Sequence, residues 1–184
     1  MTINRPFVRN SLIMLFCGSA LLVSVVLSAI VLIAQTQATF NRLVAERVAR
    51  SAAVDLFSLL QDAETGQRGY LLTLDPAFLK PYEDAVTQIA QAETKLTNAI
   101  SALPSHEHDT SQLFSLIEQK LKEMEATVDV AQKGDLQAAR RTVSDGAGQD
   151  LMTTIRDKMQ TIIRASDVAI KNNVSKYDST SVRL

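Results

Sequence analysis

From Ser11 to Ala34 no charged side chain interrupts the chain, a run of roughly 24 residues. At 1.5 Å per residue such a run spans a hydrocarbon core of about 30 Å with some tilt. A cleaved secretory signal carries an apolar stretch of only about 7–15 residues, so the run reads as a retained membrane helix. Neither proline nor glycine follows over residues 35–63, and the helix is expected to continue. Val44, Val48, Ala52, Leu56, Leu59 and Leu60 give that continuation an apolar stripe at helical spacing.

Three further segments repeat the pattern. Leu79, Tyr82, Val86, Ile89, Glu93, Leu96, Ile100 and Leu103 alternate three and four apart, a heptad seam suited to shallow helix crossings. Glu93 is its one charged member. Leu113, Ile117, Leu121, Met124, Val128 and Ala131 form a second seam, ended by Gly134 where a left-handed residue is usual. Asp135 caps a short helix with Leu136, Ala139 and Val143 facing inward. The stretch Asp145-Gly146-Ala147-Gly148 reads as a break. Met152, Ile155, Met159, Ile162, Ser166, Ala169 and Asn173 complete the last seam. These elements predict an all-α fold: an antiparallel four-helix bundle whose first helix is continuous with the membrane helix. Ile89 and Ile162 are expected in its core. The boundaries are a tail over 1–10, a membrane helix over 11–34, a helical domain over 35–178 and a polar end over 179–184.

Between the stripe over 44–60 and the seam that opens at Leu79 lies an unusual stretch, Glu64-Thr65-Gly66-Gln67-Arg68-Gly69-Tyr70-Leu71-Leu72-Thr73. Two glycines three apart strip side-chain bulk from one face, so another backbone can come close. Glu64 and Arg68 stand at the spacing where opposite charges meet on a helix. Asp75-Pro76 then reads as an N-cap followed by a first-turn proline. The stretch is a helix end, a short corner and a new helix start. Pro81 predicts a kink or a fresh start near Lys80.

Composition narrows the classes. The 184 residues carry a formal charge of −1, no tryptophan and one cysteine, Cys17. The charge balance does not point to nucleic acid, and a disulfide within the helical domain is excluded. Phe16 before Cys17 speaks against a lipoprotein site. Arg5 and Arg9 precede the membrane run and Arg42, Arg47 and Arg50 follow it, so basic residues alone do not set orientation; the short tail with Arg9 near the membrane favours an inside amino terminus. No phosphate loop or nucleophile–base spacing occurs, and no catalytic residue or cofactor is assigned. His106, Glu107, His108 and Asp109 are ligand-type residues, but adjacent alternating ligands in a turn read as a solvated loop, so no metal is assigned. Asp109 and Gln112 form a candidate capping box.

The run E-T-G-Q-R-G-Y-L-L-T, followed by D-P-A-F-L and P-Y, resembles the signature of the CHASE type-three domain. This is an extracellular helical sensory module of bacterial histidine kinases, nucleotide cyclases and chemotaxis-type receptors. Gly146-Ala147-Gly148-Gln149-Asp150-Leu151-Met152 with Ile155-Arg156 is similar to the start of that family's last helix. The resemblance covers about residues 35–175. It implies a sensor, not an enzyme, in a bacterial cell membrane with the bulk of the chain periplasmic or extracellular, and it brings no catalytic residues. The candidate site is Glu64, Gly66, Gln67, Arg68, Gly69 and Tyr70, read either as a packing corner or as a pocket for a small anionic or polar ligand. The partners expected are the membrane, a second copy and a small molecule of unassigned identity. No second apolar span follows, a departure from the family pattern. A truncated product, an excised input module and a single-pass protein without an output domain are the corresponding expectations. The competing reading is an anchored helical bundle that binds a full-length receptor.

Overall fold

The chain, as a computed structural model, is described over residues 5–101, 103 and 110–181, with side chains over 9, 10, 12–101, 103 and 110–175. Five α-helices appear among these residues: α1 Arg5–Thr73, α2 Leu79–Ser101, α3 Thr110–Gln132, α4 Leu136–Ser144 and α5 Ala147–Ser181, with a 3-10 turn at Pro76–Phe78. The expected all-α class is the one observed. Two compact units emerge, Met1–Arg42 and Leu43–Leu184.

In the first unit, the helix that α1 contributes leaves its large apolar side chains uncovered, from Leu12 to Ile33. Two of its hydroxyls are satisfied locally: Ser19 Oγ donates to Phe16 O at 2.9 Å and Ser28 Oγ to Ser24 O at 2.8 Å. A helix whose hydroxyls bond to its own carbonyls leaves few polar groups for lipid to solvate. Length and composition make this a helix able to cross a membrane.

In the second unit one core joins four helices. Ala53, Leu56 and Leu60 of α1 pack with Ile89, Leu96 and Ile100 of α2, Leu113 and Ile117 of α3, and Ile155, Met159 and Ile162 of α5. These are the members of a four-helix bundle, with α4 as a short addition. Ile89 and Ile162 are both buried, at 2% and 4% exposure. Long-range polar contacts fasten the rim: Arg50 Nε donates to Asp167 Oδ1 at 2.7 Å, and Lys158 Nζ to Gln112 Oε1 at 2.8 Å.

The structure moves several expected positions. On α1, Val44 and Val48 are exposed and Ala49 and Ala53 are buried instead, while Ala52 is buried as expected. Close helix approach selects small side chains, which an apolar-size pattern underrates. On α2, Ala85 and Ala92 are buried, while Tyr82, Val86 and Glu93 are half-buried. On α3, Lys120 is buried and Leu121 only partly so. Neither glycine of the Glu64–Thr73 stretch ends α1, which continues to Thr73, and Gly148 lies inside α5 rather than in the break before it. Pro81 marks the expected fresh start: α2 begins at Leu79, which places Pro81 in a first turn whose N–H groups have no intrahelical partner. The Asp109 capping box and the His106–Asp109 cluster lie outside the described residues.

The turns follow their residues. Asp75 Oδ1 accepts from Ala77 N at 2.9 Å with Pro76 opening the 3-10 turn. Gly134 has φ +97°, and Asp135 Oδ1 accepts from Ala138 N at 2.9 Å to start α4.

Glu93 faces a partly closed seam. Burial, and then the charge of Glu118, raise its carboxyl above the ordinary carboxylate range. A carboxyl raised by folding contributes most below its ordinary pKa, and that contribution is lost as pH rises through the raised value. Glu93→Gln is therefore expected to stabilise the bundle at pH 7 by about half a kcal/mol or less, given the solvent exposure of the site, and to bring no gain at pH 4. Denaturant midpoints of parent and variant at the two pH values check this.

Candidate functional site

The Glu64–Tyr70 stretch is helical, so its residues divide between two faces. Gly66 and Gly69 point one way; Glu64, Gln67 and Arg68 point the other. Each face meets a different neighbour.

The glycine face receives the start of the next helix. A Cβ on Gly66 would lie 2.8 Å from Tyr82 N and 2.9 Å from Phe78 O, and one on Gly69 would lie 2.6 Å from Phe78 Cδ1. The corner thus rests its main chain directly on α1. Leu74 closes the helix in the left-handed region at φ 57°. Thr73 Oγ1 accepts from Asp75 N at 3.2 Å. Arg140 of α4 donates from Nε to Leu71 O at 3.1 Å and from Nη2 to Leu72 O at 3.4 Å. A cation at the carboxyl end of a helix meets the negative end of its dipole and carbonyls without intrahelical partners.

The polar face meets α3. Lys120, 3% exposed, holds its ammonium 2.8 Å from Glu123 Oε2 and 3.5 Å from Glu64 Oε1. Arg68 Nη2 donates to the same Glu64 oxygen at 3.0 Å. One carboxylate therefore bridges an exposed guanidinium and a buried ammonium. Buried Gln67 reaches Met124 O at 3.5 Å, and Thr127 Oγ1 donates to Glu123 O at 2.7 Å. Above this cluster stands Gly148 of α5: a Cβ there would lie 2.8 Å from Glu123 Oε2 and 2.9 Å from Lys120 Nζ. The two glycine-bearing sequence motifs, far apart in the chain, thus meet at one lysine.

Tyr70 lies in neither contact. It is buried with Leu71, Leu79, Val128, Ala131 and Ala139 in a second apolar cluster. Its neighbour across the corner, Tyr82, has its phenol raised by burial and by the acidic side chains of Glu125, Asp129, Glu123 and Glu83.

The six sequence-selected residues are therefore distributed: two against the corner, three at the α3 cluster, one in an apolar cluster. Lys120, Glu123, Thr127 and Arg140 were not anticipated. For Lys120 the signal was present, since it stands three residues after Ile117 and four before Met124, on the same stripe. Chemically, the arrangement holds charge between three helices at fixed register; among the described residues no group of three or more His, Cys, Asp and Glu side chains could hold a metal ion.

A family model described as the CHASE3 domain matches residues 33–175, most of the chain. The chain belongs to the CHASE3 domain family. CHASE3 domains are sensory input domains of signal-transduction receptors, not catalytic ones. No curated protein and no solved structure matches the chain. The CHASE3 match takes in both glycine motifs and the lysine between them, so the α1–α3–α5 cluster lies wholly within the family's span.

Proposed function

We propose that this chain is the membrane-anchored input domain of a bacterial receptor, with residues 11–34 crossing the cell membrane and residues 35–178 on the periplasmic or extracellular side. The tail over 1–10 is then cytoplasmic. The observation that carries the reading is α1 itself. One uninterrupted helix bears the uncharged run at one end and, in Glu64 and Gln67, the polar cluster of a CHASE3 domain at the other. Packed helices change arrangement by small translations or rotations between discrete states, and a ligand biases them only through its different affinity for the two.

In this proposal two copies signal together. The exposed Val44 and Val48 of α1, on a face apart from Ala49 and Ala53, favour a second copy. So do the small residues Gly18, Ser19, Ala20, Ser24, Ser28 and Ala29, since membrane helices pack closely where side chains are small. The six motif residues then serve chiefly as a packing corner that keeps α1 in register with its neighbours.

Two experiments test the reading. Alkaline phosphatase fused after Leu184 is expected to be active and a cytoplasm-dependent reporter inactive; the reverse overturns the topology. With Cys17 replaced by Ser, single cysteines from Phe40 to Asp55 are expected to crosslink in membranes with helical periodicity, strongest at positions 44 and 48. Uniform absence of crosslinks would leave a monomeric anchor.

A further inference from the structure

We propose that the recess between α1 and α2 is a binding site for a small zwitterion of amino-acid type. The proposal rests on the sensory reading for its consequence, since it names the class of solute the input domain would sense.

The recess measures about 320 Å³, near the lower end of the ~300–1,000 Å³ usual for small-molecule sites. Ala52 of α1 and Ala92 of α2 line it, each 7% exposed. Two side chains that stop at Cβ leave a hollow where Leu56 and Ile89 fill the space deeper in the core. Around it stand Asp55 and Ser58 from α1 and Gln91 and Lys95 from α2.

The charges are the decisive feature. Asp55 and Lys95 have opposite sign, lie on opposite walls, and form no ion pair with each other or with another group among the described residues. The Ser58 hydroxyl and the Gln91 amide have no hydrogen-bond partner among the described residues and are open to a ligand.

A lone cation would compensate Asp55 and face Lys95; a lone anion would do the converse. A molecule carrying both charges a few ångströms apart compensates both walls. Its ammonium would sit at Asp55 and its carboxylate at Lys95, as charge-assisted hydrogen bonds favour. Ser58 and Gln91 would bond its remaining polar groups, and a short side chain would cover Ala52 and Ala92. Bound there, it links α1 to α2.

The test uses the full chain in phospholipid nanodiscs and isothermal titration with L-alanine, L-serine and L-glutamine. Propionate and ethylamine serve as single-charge analogues of alanine. At least one of the three amino acids is expected to bind saturably. Propionate and ethylamine are expected to bind at least tenfold more weakly than the zwitterion. Asp55→Asn and Lys95→Gln are each expected to weaken binding at least tenfold with melting temperature preserved, because both side chains are exposed. Absence of binding by all three amino acids overturns the proposal. So does equal binding of the single-charge analogues, or affinity unchanged in both variants. Direct binding does not depend on topology or on a second copy, so a failed fusion or crosslinking result leaves this test readable, and the converse holds.

Discussion

Lys120→Ala is expected to lower the unfolding free energy of the bundle by about 3 kcal/mol, the scale on which breaking a buried ion pair is felt. The loss has two parts. Removing the ammonium leaves the carboxylates of Glu64 and Glu123, each with most of its side chain shielded, as neighbouring like charges. It also removes a side chain that is only 3% exposed and whose ammonium end lies beside Gly148. Lys120→Met restores the stem without the charge, so only part of the loss should return. Adding Glu64→Gln and Glu123→Gln to Lys120→Met should recover most of the remainder, because no buried charge is then left uncompensated; Arg68 loses its partner but is half exposed. Denaturant unfolding followed by circular dichroism distinguishes these outcomes. A Lys120→Ala midpoint matching the parent would show that the ammonium contributes nothing to holding α1, α3 and α5 together.

The second large effect belongs to the other face of α1. Gly66→Leu is expected to cost about 3 kcal/mol or more, and Gly66→Ala roughly 1–2 kcal/mol. The sign for alanine is the informative part. Within a helix, alanine is favoured over glycine by about 1 kcal/mol, so an open position would gain stability. At Gly66 the added carbon meets Tyr82 N at 2.8 Å and Phe78 O at 2.9 Å. These are main-chain atoms that move only if the corner moves. Arg68→Ala, by contrast, removes one partner of an ion pair whose guanidinium is half exposed, and should cost less than about 1 kcal/mol. Thermal melts of the three variants rank them. Should Gly66→Ala stabilise while Arg68→Ala destabilises strongly, the packing-corner role would pass from the glycines to the charged face.

Much of this architecture is legible in the residues alone. The seams of α3 and α5, the Asp75-Pro76 start, the left-handed Gly134 and the Asp135 cap all follow from local rules, because each depends on a few neighbouring residues. What escapes such reading depends on a partner distant in sequence. Val44 and Val48 have the apolar character of core residues, yet α1 turns Ala49 and Ala53 inward because the neighbouring helices come close. Lys120 stands on the stripe of Ile117 and Met124, but its burial makes sense only when Glu64, fifty-six positions earlier, is placed beside it. Gly148 reads as part of a loop until the lysine is seen to need its missing side chain. The motif at Glu64–Tyr70 announces itself in the sequence; its division into a glycine face and a charged face needs the helix to be drawn through it.

The seat at Gly66 has a mechanical consequence. There the main chain of the corner lies against α1 with no side chain between, while fourteen residues back along α1 the alanines at 52 and 92 leave a hollow. Two rods clamped at one end and spaced at the other do not slide; their separation changes as an angle. At 1.5 Å per residue the arm from Gly66 to Ala52 is about 21 Å. A tilt of about 3° over that arm opens or closes the far end by roughly 1 Å, the scale of the helix shifts that switch packed proteins. In such a lever Gly66 would be the fulcrum, and the hollow would lie on the moving arm, between the seat at Gly66 and the end of α2 at Ser101.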